Sequence, residues 1–143
     1  YSFQAKIDLV ANDLEDHFWH EDAKVVVNSF GAYLFFHAQL QMRPYPGKVL
    51  ILSPIIGGSN HVETMMRFYP PRADVLVQTA TDGVFPCPTN AQIHVGSQDW
   101  QSGPEGVVNF GNTVGIPVNV VSEQGHMLSV DYVGKLLVEH LAI

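Results

Sequence analysis

The chain has 143 residues, 46% hydrophobic and 15% charged, with a formal net charge of −7 and 7 Lys and Arg in total. Length and composition fit one domain, residues 1–143, with a buried core, and exclude a disordered chain. The acidic balance leaves no basic face for nucleic acid and no polybasic stretch for an anionic membrane, and no apolar run reaches the roughly 18 residues of a membrane span.

The first segment, QAKIDLVANDLEDHF, spaces Ile7, Val10, Leu14 and Phe18 at steps of three and four, which predicts an amphipathic helix. Residues 24–28 (KVVVN) form a continuous apolar run, the pattern of a strand buried on both faces of a parallel sheet. Gly31 to Met42 reads as an apolar helix stopped by Pro44 and Pro46, and KVLILSP (48–54) as a second buried strand. A loop-rich stretch follows, with a helix expected near 61–68 and a segment near 73–80 that fits helix or strand equally. AQIHVGSQD (91–99) is the third strand, PEGVVNFGNTVG (104–115) a helix, and IPVNVVSEQ (116–124) the fourth strand. The chain ends with the amphipathic helix SVDYVGKLLVEHLA. Alternating strands and helices imply right-handed crossovers and an α/β fold, a mostly parallel sheet covered on both faces.

In open parallel sheets, functional groups gather beyond the carboxyl ends of the strands. Three residues suited to acyl transfer occupy such ends: Ser29 after the first strand, Asp99 after the third, and His126 after the fourth. A serine hydroxyl is a poor nucleophile until a hydrogen-bonded base takes its proton. His126 supplies a base on a loop preceded by Gly125, and Asp99 an acceptor that holds the imidazole tautomer. A serine between strand and helix has the layout of a nucleophile elbow, with Gly31 expected to let the helix pack closely. The turn aims the Phe30 amide, at a helix N-terminus, toward a developing oxyanion. The plainer alternatives are a helix-capping Ser29, a turn-forming Asp99 and a structural His126.

These pieces resemble the α/β-hydrolase fold from its nucleophile elbow onward. VVVNSFGAYL matches the elbow, KVLILSP the next strand, IHVGSQDW the acid strand and GHMLSVDYVGKLLVEHL the histidine, over roughly residues 24–142 in the fold's order. The resemblance implies Ser29 as nucleophile, Asp99 as acid, His126 as base and Phe30 as an oxyanion-hole amide. It implies hydrolysis of a small ester, thioester or amide, a small-molecule substrate, and no metal or organic cofactor. Trp100, Met65 and Met66 are expected to wall the substrate pocket. Two departures stand out: Val27 occupies a position where the family usually has a small residue, and no HG or HGGG stretch supplies a second oxyanion donor. The strands that normally precede the elbow have no counterpart, so the sequence reads as a fragment or as one half of a homodimer paired through strand 24–28. A second functional reading is a non-catalytic protein of this fold used for assembly or ligand binding.

The remaining polar residues point to less. His17 and His20 in HFWH, beside Glu21 and Asp22, lack a third ligand at suitable spacing, so no metal site is expected. Cys87 in VFPCPTN is the sole cysteine and reads as a packed thiol. With no disulfide and no leader-like pattern in YSFQAKIDL, the cytoplasm is the expected compartment.

Overall fold

The computed structural model of the chain describes residues 2–142. Its elements run α1 (Phe3–His17), β1 (Lys24–Asn28), α2 (Phe30–Leu40), β2 (Lys48–Leu52), β3 (Ser59–His61), β4 (Met66–Phe68), α3 (Val75–Thr81), β5 (Asn90–Gly96), α4 (Pro104–Val114), β6 (Val118–Val121) and α5 (Val130–Leu141). Four strands pair in parallel in the order β1-β2-β5-β6, while β3 and β4 form a separate antiparallel ribbon. The α/β class and the parallel sheet are those the sequence predicts.

Strand periodicity sorts the core into two layers, because successive side chains of a strand face opposite sides. Val49 and Ile51 of β2, with Ile93 and Val95 of β5, join the larger cluster that holds Tyr33, Phe35 and Phe36 of α2 and Phe110 of α4. Leu50 and Leu52 face the other way, against Leu128 and the α5 residues Val133, Leu136 and Leu137. Helix α2 is apolar almost all round because α1, α4 and the sheet cover it, and seven of its residues are buried. Ser2 caps α1 by accepting from the Ala5 amide, and Ser129 caps α5 by accepting from Tyr132.

Several expectations are corrected. Residues 61–68 are not a helix but the turn and second half of a hairpin, with Ser59 opposite Phe68 and His61 opposite Met66. Val62 and Met65 are almost fully exposed, so this stretch has no apolar stripe to bury as a helix, and its backbone is satisfied across the hairpin instead. The ambiguous 73–80 segment is α3. Strand β1 is not buried on both faces: it lies at the sheet edge with Val26 40% exposed. Phe18 caps the end of α1 and is half-exposed instead of extending its buried face. A Cβ at Gly31 would meet open space, so close packing of α2 does not require that glycine.

Candidate active site

The turn from β1 into α2 is tight enough to drive Ser29 to φ 54°, ψ −120°, a region that L-residues rarely adopt. Its position is held by backbone bonds: its N–H donates to the Leu52 carbonyl at 3.0 Å, and its carbonyl accepts from Ala32 at 3.1 Å and Ile55 at 3.3 Å. The hydroxyl makes no helix-capping bond. It lies 2.7 Å from Nε2 of His126. The capping alternative for Ser29 therefore has no support in the geometry.

His126 stands on the loop between β6 and α5, its side chain 28% exposed. Its Nδ1 is 3.0 Å from both carboxylate oxygens of Asp99, whose side chain is fully buried. An ionised carboxylate only accepts, so Nδ1 carries the proton and Nε2 is left to accept from the Ser29 hydroxyl. Asp99 lies in the turn after β5, which ends at Gly96 instead of reaching Asp99 as the sequence predicts. The turn gives the carboxylate a second donor, the Ser102 amide at 3.0 Å, while the Ser102 hydroxyl approaches Nδ1 of His126 at 3.5 Å. The structure thus brings Ser29, His126 and Asp99 into one hydrogen-bonded row, from three separate strand ends.

The His126 loop is anchored through the end of β5. Ser97 N–H donates to the Val121 carbonyl at 2.9 Å, Gln98 N–H to the Gln124 carbonyl at 2.9 Å, and Glu123 N–H to the Ser97 hydroxyl at 3.0 Å. Gln124 in turn accepts from the Ser129 amide through its side chain at 2.7 Å. Ser53, past the end of β2, donates its hydroxyl to the His126 carbonyl at 2.7 Å. Ser53 and Ser102 escape a reading by strand ends, since serines in turns are common and their partners lie far away in sequence.

Phe30 is the first residue of α2, where the N–H has no partner within the helix. A cavity of about 380 Å³ opens beside His126, with Leu52, Leu128, Val133 and Leu137 as apolar walls and Asn28, Ser53 and His126 at its polar end. Met65 and Met66, expected to wall the pocket, point to solvent from the β3–β4 ribbon and line no part of this cavity. Trp100 borders a different cleft, of about 690 Å³, together with Asp74, Ser102 and Glu105, and its ring faces His61 at 5.1 Å between centroids.

Other titratable groups stay outside this row. His94 is buried on the α5 side, bonded to the Tyr132 hydroxyl at 2.6 Å and to Gln92 at 2.7 Å, and burial lowers its pKa. His37 is packed between Phe3 and Tyr33, with Nε2 unpartnered, and burial pulls its pKa down to about 4. Burial raises the pKa of the Cys87 thiol, which disfavours the thiolate that a nucleophile needs. Among the described residues no three His, Cys, Asp or Glu side chains converge as a metal site requires, and no helix is long and apolar enough to cross a membrane.

The sequence matches no family model and no curated protein. Solved structures do share its architecture. A predicted CIB-like hydrolase from Thermoplasma acidophilum superposes with a TM-score of 0.63 at 12% identity, over 98% of this chain and 59% of its own. The 2-hydroxy-6-oxo-6-phenylhexa-2,4-dienoate hydrolase of a Rhodococcus strain gives a TM-score of 0.61 at 13% identity, over 99% of this chain and 72% of its own. A carboxylesterase of the thaumarchaeon Nitrososphaera gargenis gives 0.60 at 12%, over 99% and 72%. The chain therefore spans about three-fifths to three-quarters of these neighbours' lengths.

Proposed function

We propose, from the α/β-hydrolase fold that this chain has, that it is a serine hydrolase cleaving a small ester, thioester or amide. One observation carries the reading: the Ser29 hydroxyl, the His126 imidazole and the Asp99 carboxylate are linked at 2.7 and 3.0 Å, distances at which the hydroxyl can donate to Nε2 while Nδ1–H donates to the carboxylate, as nucleophilic catalysis needs. In this mechanism Ser29 Oγ attacks the carbonyl carbon while its proton passes to His126 Nε2. Asp99 stabilises the imidazolium through Nδ1. The Phe30 N–H donates to the oxyanion of the tetrahedral intermediate. Collapse expels the alcohol, thiol or amine, which takes the proton from His126, and leaves an acyl group on Ser29. Water, deprotonated by the same imidazole, then releases the acid.

The test is a fluorophosphonate probe followed by intact-protein mass measurement. A single adduct on the intact protein, lost in Ser29→Ala, is the expected result. No adduct at any probe concentration would overturn the reading.

A further inference from the structure

The short segment after β2 touches both partners of the Ser29–His126 pair. Ser29 donates its N–H to the Leu52 carbonyl and accepts from the Ile55 N–H. Between these two contacts, the Ser53 hydroxyl donates to the His126 carbonyl at 2.7 Å, and the Ser53 N–H donates to the His94 carbonyl at 2.8 Å. Ser53 is 1% exposed and sits at φ 46°. A glycine would hold that left-handed conformation without strain, whereas a residue with a Cβ does so at a cost. What serine adds at this place is a hydroxymethyl group whose oxygen reaches the backbone of His126.

We propose that Ser53 is a positioning residue that fixes the reach of His126 toward Ser29, an inference that rests on the hydrolase reading above. The residues on either side of His126 give its side chain little support, since a Cβ at Gly125 would meet nothing and Met127 is 90% exposed, although the loop is tied down at Gln124 and Leu128. Asp99 orients the imidazole ring but bonds only its far nitrogen. The buried Ser53 bond locates the backbone from which the ring projects. Because residues 52–55 also hold Ser29, one stretch of chain sets the distance between hydroxyl and imidazole. That distance matters steeply, since a misplacement of about 1 Å can cost on the order of 10²-fold in rate.

The experiment compares the intact protein with Ser53→Gly and Ser53→Ala. Alanine removes only the hydroxyl and keeps the strained Cβ, whereas glycine removes the whole hydroxymethyl group and with it the backbone strain, which offsets the lost hydrogen bond. Both variants are expected to be labelled at Ser29 by the fluorophosphonate about 10²-fold more slowly, with Ser53→Gly still folded and melting cooperatively, its relieved strain offsetting part of the lost hydrogen bond. Labelling of Ser53→Gly at the parental rate overturns the proposal, as does loss of fold in both variants, which would make Ser53 a core residue. If the parent itself is not labelled, the hydrolase reading fails, and Ser53 is then judged by the low-field proton resonance of His126 Nδ1–H. A resonance that disappears on Ser53→Gly supports positioning; a signal that the substitution leaves as it was overturns it.

Discussion

The carbonyl oxygen of Gln124 passes so close over Gly96 that a Cβ there would lie well inside van der Waals contact distance, with the Gly125 carbonyl oxygen at 2.5 Å. The clashing atoms are backbone, so no rotamer change relieves them. Gly96→Ala must therefore push away the loop that carries His126. The expected result is a loss of about 1–3 kcal/mol in unfolding free energy. Fluorophosphonate labelling should fall more steeply than stability does. Denaturant unfolding and labelling kinetics on the same preparation check both, and parental values in each would refute the contact.

Asp99→Asn preserves the shape of the turn, because the amide oxygen can still accept from Ser102. It also presents an N–H₂ to His126 Nδ1, which favours the tautomer with its proton on Nε2. That tautomer cannot take a proton from Ser29. Turnover of an activated ester should drop by roughly 10³–10⁴ with the fold unchanged by circular dichroism. A drop of less than tenfold would assign Asp99 to the turn alone.

Stability should fall as the solution is acidified, with His37 as a principal contributor. Its folded-state pKa of about 4 lies below the ordinary 6.5, so the unfolded chain binds more protons between those values. The stabilisation is complete above pH 6.5 and is lost as pH falls toward 4. Between pH 7 and pH 5 the loss from this residue is roughly 2 kcal/mol. His94 and His140, also lowered by burial, act in the same direction. Thermal melts of His37→Leu across that range should show a shallower slope than the parent, and an identical slope would refute the assignment.

Strand β1 ends the sheet, and among the described residues no strand lies beyond it. We expect two copies to pair through residues 24–28, the proposal that gives an apolar edge a partner. Sedimentation at high micromolar concentration should find a dimer, and Val26→Lys, at a 40% exposed position, should shift it to monomer. A parent that is monomeric throughout would discard the pairing.

Much of the arrangement was legible along the chain because the signals are local. Apolar runs such as KVLIL mark strands, because a parallel strand with cover on both faces has little use for polar residues. The order of Ser29, Asp99 and His126 at strand ends follows from that alternation alone. The 59–68 hairpin was not legible. Its strands have only three residues each, too few to display a period, and its valine and methionines face water. The same exposure removes Met65 and Met66 from the cavity walls, which come instead from Leu52 and the α5 side.

Sequence alone determined the class of fold and the order in which Ser29, Asp99 and His126 follow the first, third and fourth strands of the sheet, since each strand is marked by its own neighbours. Tertiary structure alone decided that Ser29 and His126, 97 residues apart, stand at 2.7 Å. It also decided that Ser53 clips the His126 backbone and that Gly96 makes room for the loop above it. Those relationships depend on how sheet register and loop paths bring distant backbone together, and a single residue type in a turn carries no mark of a partner dozens of positions away.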